Sequence, residues 1–125
     1  MVIDTSVLIE SLAGPMRLAP VLRQVLSRGE RLMVPSLVLF EWWRGPRTEH
    51  ELRTQEILFP RGAALPFGSA EASVAARLYQ QVPRARGREL DLAIAACAIV
   101  HDIPLWTLNR KDFAGLPGLV LASLD

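Results

Sequence analysis

The sequence has a single cysteine, Cys97, so no disulfide can form within the chain, and a reducing compartment is expected. It has only two histidines, His50 and His101, far apart in sequence, which leaves too few ligands for a soft-metal site. It has almost no net charge. The formal value of +1 rules out a broad basic surface as the source of affinity, though it does not exclude nucleic acid as a partner. It has no long apolar run, and its opening residues, Met-Val-Ile-Asp, carry no basic leader. Neither a membrane span nor a signal peptide is expected, and the default location is the cytoplasm. Repeats, linkers and low-complexity segments are also lacking. What is present is apolar: 50% of the residues are hydrophobic, which argues against disorder. The 125 residues suffice for one domain with a real core and are too few for two, so a single domain over 1–125 is expected.

In chain order, apolar segments alternate with helical patterns. Val2 and Ile3 read as a short buried strand, with Thr5 or Ser6 capping a helical piece over Val7 to Leu12. Apolar residues three and four apart predict an amphipathic helix over Met16 to Ser27, stopped by Gly29. Leu32 to Val34 read as a second strand, and Pro35-Ser36 opens a helix over Leu37 to Arg44. Thr48 and Glu51 have capping-box spacing before a helix closed by Pro60. Ala63 to Phe67 read as a third strand, weakened by Pro66, and Ser69 caps a helix from Ala70 to about Val82. A basic loop, Pro83 to Arg88, precedes the final third of the chain.

That final third organises the rest. From Leu90 to Val100 every residue but Asp91 is apolar or small, which predicts a helix buried on all sides. Pro104 forbids its continuation; Leu105 to Leu108 read as a fourth strand, and Leu119 to Ala122 as a fifth. Strands separated by helices predict an α/β fold with a parallel sheet covered on both faces. Such a sheet binds ligands at the carboxyl ends of its strands. Four acids fall there. Asp4 follows the first strand and Asp112 the fourth, while Asp91 lies in the first turn of the buried helix. Glu41 sits roughly 7–8 Å along its helix on a face whose one-turn neighbours, Leu37 and Val38, are apolar.

Carboxylates gathered in one place repel by roughly 1–4 kcal/mol per close pair, depending on the local dielectric. The cluster is tolerable if some acids hold protons or a cation lies among them. Oxygen-only ligands point to Mg²⁺ or Mn²⁺, ions suited to phosphate chemistry and to in-line displacement at a phosphodiester. Thr5, Ser6, Thr107 and Asn109 would be the polar support around the ligands. Each acid also has an ordinary reading. Asp4 or Asp112 can cap a helix, and Asp91 can favour the positive end of one.

Four pieces of sequence resemble the PIN-domain ribonucleases, in particular the toxin half of VapBC-type toxin–antitoxin pairs. They are Val-Ile-Asp-Thr-Ser-Val-Leu-Ile-Glu at 2–10, Pro-Ser-Leu-Val-Leu-Phe-Glu at 35–41, Glu-Leu-Asp-Leu-Ala-Ile-Ala-Ala at 89–96 and Thr-Leu-Asn-Arg-Lys-Asp-Phe at 107–113. No one piece is specific; the ordered set, spanning nearly the whole chain, is. The resemblance implies a three-layer α/β/α sandwich with a five-stranded, mostly parallel sheet. It places the family's metal-site acids on Asp4, Glu41, Asp91 and Asp112, with Asn109 and Thr5 in support. It further implies Mg²⁺- or Mn²⁺-dependent cleavage of RNA, homodimerisation, and inhibition by a small VapB-like antitoxin lying across the groove. Trp42-Trp43 is a departure from the family's smaller aliphatic residues, one that could narrow the groove or pack against a partner.

Other residues carry weaker signals. Arg86 and Arg88 in the basic loop, and Arg110 and Lys111 beside Asp112, are candidates for RNA phosphate contacts or simply solvated charges. Arg44 could pair with Glu41 or receive the antitoxin. Cys97 reads as an inert core residue, and His50 and His101 as surface residues. An aspartyl-phosphate phosphatase would need a second acid where Ser6 stands, and a phospho-receiver's tandem acids and lysine cannot be assigned. The alternative to a nuclease is a catalytically inactive PIN-like module that binds RNA or a protein partner, although none of the four acids is missing.

Overall fold

The computed structural model describes residues 1–124. A short strand β1 (Val2–Ile3) leads into α1 (Thr5–Leu12), followed by α2 (Ala19–Ser27), α3 (Ser36–Arg44) and α4 (Glu49–Leu58). After a 3₁₀ turn at Arg61–Ala63 come α5 (Ser69–Gln81), α6 (Glu89–His101), β2 (Leu105–Trp106) and α7 (Arg110–Phe113). The first and last thirds of the chain meet at the centre, where β1 pairs in parallel with β2, Val2 opposite Leu105 and Ile3 opposite Trp106.

Single parallel bridges widen this centre: Val2 with Met33, Pro35 with Leu65, and Leu105 with Leu121. The five apolar segments expected as strands are thus laid side by side, but as two strands and three bridges among the described residues. Proline explains part of the brevity. Pro35 has no N–H with which to extend the ladder that Met33 makes with Met1 and Ile3, while on its other side Leu65 donates to the Val34 carbonyl and accepts from Ser36 N, at 2.9 and 2.8 Å. The stretch expected as a strand from Ala63 begins inside the 3₁₀ turn, and only Leu65 reaches the sheet before Pro66.

Helix boundaries follow local chemistry. The helix expected from Met16 begins at Ala19, because Met16 adopts a left-handed φ of 52° that no α-helix accommodates. Thr48 and Glu51 form the anticipated capping box, each side chain meeting the other's backbone N–H at 3.1 and 2.9 Å. Helix α5 begins at Ser69 itself; the Glu71 carboxylate accepts from Gly68 N at 2.9 Å.

Helix α6 is the buried helix the sequence foretold. Leu92 and Ile94 to Ala98 are fully enclosed, and the run of alanines lets α5 pack closely along it. Around it the core gathers Ile3, Leu8, Leu39, Trp42, Leu105 and Phe113. Among the described residues no helix is long and apolar enough to cross a membrane.

Candidate active site

The parallel centre places Asp4 immediately after β1, at the carboxyl edge of the sheet. It is the N-cap of α1, but its carboxylate makes no cap hydrogen bond and is 3% exposed. Thr107 donates to Asp4 Oδ2 at 2.7 Å and Ser6 donates to the same oxygen at 3.0 Å. Among the described residues, Oδ1 receives no hydrogen bond. The Ser6 hydroxyl, expected as a possible helix cap, instead accepts from Leu108 N at 3.1 Å. Asn109 N donates to Thr107 Oγ1 at 3.0 Å. The turn after β2 is thus wrapped round one aspartate, and it ends the expected Leu105–Leu108 strand at Trp106. Asn109 enters this network through its backbone; its side chain is exposed.

Glu41 projects from the second turn of α3. Thr5 donates to Glu41 Oε1 at 2.5 Å, and Arg44 pairs with Oε2 at 3.3 Å. The glutamate side chain is 17% exposed, and its arginine partner stays largely in solvent. Asp91 lies half-buried in the first turn of α6. Its carboxyl is pushed above the ordinary value by burial first, then by the charges of Asp4, Glu41 and Asp112, with Arg88 opposing. All three of the other acids are near enough to disfavour its ionisation. Asp112, on α7, is exposed, and its backbone carbonyl accepts from the Arg88 guanidinium.

The four acids therefore share one edge as a loose cluster. No three Asp, Glu, His or Cys side chains among the described residues converge closely enough, as they lie, to chelate an ion. The donor set is nonetheless suited to a hard cation: carboxylate and hydroxyl oxygens, with no histidine or cysteine in the network.

The basic residues divide. Arg88 donates to Asp112 as above, and Arg110 Nη1 donates to the Ala122 carbonyl at 2.8 Å. Both guanidiniums retain further N–H groups. Arg86 and Lys111 are exposed. Trp42 belongs to the core, with the Arg47 guanidinium 4.2 Å from its ring centre. Trp43 is partly exposed, donates to Gln55 on α4 at 3.0 Å, and carries Arg61 over its ring. His101 faces Glu71 at 3.8 Å, away from the acid cluster. The Arg88 tie to Asp112 was missed from sequence, since nothing in a basic loop marks which arginine turns inward.

The sequence model of the PIN domain matches residues 1–119. The chain belongs to the PIN-domain family. Ribonuclease VapC19 of Mycobacterium tuberculosis is 33% identical over 119 residues, covering 94% of both chains. Ribonuclease VapC of Rickettsia bellii is 45% identical over 58 residues, covering 44% of this chain and 42% of that one. Among solved structures, a toxin–antitoxin complex from Klebsiella pneumoniae superposes with a TM-score of 0.70 at 27% identity, over 95% of this chain and 94% of that one. DNA-bound VapBC from Salmonella typhimurium gives 0.74 at 19% identity, over 99% and 97%. Within this fold the pairing of β1 with β2 sets the first and fourth apolar segments side by side, which is why acids from both ends of the chain share one edge.

Proposed function

We propose that this PIN domain is a divalent-metal-dependent endoribonuclease and acts as the toxin of a toxin–antitoxin pair. The observation that carries the proposal is the buried Asp4, held through Oδ2 by Thr107 and Ser6 with Oδ1 left open among the described residues, on the edge where Asp91 feels the charges of Asp4, Glu41 and Asp112. Evenly spread surface acids would not do this. The relatives named ribonuclease VapC and the toxin–antitoxin complexes of the same fold support the reaction class and the partner.

Asp4, Glu41, Asp91 and Asp112 would hold Mg²⁺ or Mn²⁺, which supplies Lewis-acid polarisation of the scissile phosphate and a lowered pKa for the attacking water. The chain's own residues do the positioning. Thr107 and Ser6 fix Asp4 through Oδ2, so that Oδ1 remains for a ligand. Thr5 and Arg44 hold the two oxygens of Glu41 from opposite partners. Arg86 and Lys111, with the spare N–H groups of Arg88 and Arg110, would bind the flanking phosphates. The chain would form a homodimer, and a VapB-like antitoxin would cover the exposed apolar side chains of α3, Phe40 and Trp43, which flank Glu41 in sequence.

The purified protein should cut RNA with Mg²⁺ or Mn²⁺ and not with EDTA. Asp4→Asn and Asp91→Asn should abolish cutting while circular dichroism stays that of the parent. Mg²⁺ should raise the parent's melting temperature and leave that of Asp4→Asn unmoved. Variants that cut as fast as the parent would sink the assignment; retention of RNA without any cutting would favour the inactive module.

A further inference from the structure

A cleft of about 470 Å³ opens beside the acid cluster, between the end of α1 and the turn after β2. That volume lies within the roughly 300–1,000 Å³ usual for small-molecule sites. It shares a wall with the candidate active site. Ser6, which donates to Asp4, lines it, and so does Leu108, whose N–H is bound by Ser6. A strand of RNA with one phosphate at the carboxylates has a base beside it, and this cleft is where that base can go.

The lining fits a base in two respects. Ile9, Leu18 and Leu108 supply aliphatic faces, and Leu108 is 45% exposed although Thr107 before it is buried. Glu10 and Arg17 supply opposite charges to the same cleft. Among the described residues neither of these two side chains makes a hydrogen bond or an ion pair. Their spacing is fixed by the backbone: Leu18 N donates to the Glu10 carbonyl at 2.9 Å, folding the loop before α2 back onto α1. Two opposite charges that face one cleft without neutralising each other keep a full acceptor edge and a full donor fork for a ligand.

We infer that this cleft is the base subsite of the nuclease, taking the nucleobase next to the scissile phosphate, with Glu10 and Arg17 reading its edge. The inference rests on the nuclease reading above. Guanine matches the pair best. Its N1–H and N2–H₂ donate to a carboxylate, and its O6 and N7 accept from a guanidinium. Uracil offers the carboxylate a single N–H and matches least.

The test has two arms. In EDTA, where no cutting occurs, the four nucleoside 5′-monophosphates are titrated into labelled protein and followed by NMR. GMP should shift the amides of Leu18 and Leu108 and bind roughly 10-fold tighter than UMP, a preference that Glu10→Gln and Arg17→Ala each remove. With Mg²⁺, mapping of RNA ends should show guanine enriched beside the cut for the parent and not for Glu10→Gln. Equal affinity for all four nucleotides, shifts confined to other residues, or unchanged base preference in both variants would overturn the subsite. So would variants that lose antitoxin binding yet keep the parent's base preference, since the cleft would then belong to the protein partner. GMP selectivity that depends on Glu10 and Arg17 in a protein that never cuts RNA would instead overturn the nuclease reading and leave the base selectivity standing.

Discussion

Thr107 donates its hydroxyl to Asp4 at 2.7 Å across 103 residues of chain. The two residues follow β2 and β1, whose parallel pairing brings them level. The bond serves packing and chemistry together, because it satisfies a buried carboxylate oxygen and fixes the direction of the other. Thr107→Val keeps the shape and removes the donor. It should destabilise the protein by about 1–3 kcal/mol, as an under-satisfied buried polar group does. Thr107→Ser should recover most of the loss. Urea unfolding in EDTA measures both; equal stability of the valine and serine variants would mean that the hydroxyl contributes nothing.

Asp91 sets a pH dependence. Burial and its acidic neighbours raise its carboxyl above the ordinary 3.8, so the native chain keeps this proton to higher pH than the unfolded chain does. The group's contribution to stability is complete below that value and is lost as pH rises through the raised one. Asp91→Asn carries no such loss. In EDTA the variant should melt at or above the parent's temperature, with a gap that widens from acid towards neutral pH. A gap that is constant with pH, or a variant that melts many degrees lower, would give Asp91 a structural role instead.

Cys97 should be inert while the protein is folded. Burial in α6, and after it the charge of Glu71, push the thiol up to about 11. Labelling by a thiol reagent at neutral pH should therefore follow opening of the fold and accelerate with denaturant. Fast labelling of the native protein would show that α6 opens without global unfolding.

The capping box at the start of α4 gives a local measure of stability. Thr48→Ala removes the acceptor for Glu51 N and should cost about 1 kcal/mol. Thermal melts of Thr48→Ala and Thr48→Ser should differ by that amount, and equal melts would mean that packing alone holds this helix start.

Much of this was legible in the sequence because the signals were local. The uninterrupted apolar run of α6 announces burial, and the Thr48/Glu51 spacing announces a helix start. The gathering of the acids was legible through topology, since alternating strands and helices leave few places for Asp4 and Asp112 to go. What escaped reading depends on contacts between distant residues. Ser6 reads equally as a helix cap or as support for the acids, and only its contacts with Asp4 and Leu108 decide for the second. Arg88 and Arg110 look like solvated charges, and each turns one N–H onto a carbonyl 24 or 12 residues away. The third strand shrank to one bridge because the 3₁₀ turn ends just before Leu65, Pro66 follows it, and its partner in the bridge is itself a proline, Pro35. Glu10 and Arg17 drew no notice, since nothing in sequence shows two opposite charges facing one cleft without meeting.

The pairing of β1 with β2 has a consequence for biosynthesis. The strand made first has its partner among the residues made nearly last. At about 5–20 residues per second, the opening segment waits several seconds on the ribosome before its neighbour exists. Until then Asp4 lacks the hydroxyl of Thr107 that holds its Oδ2, so an incomplete nascent chain cannot carry the assembled pocket.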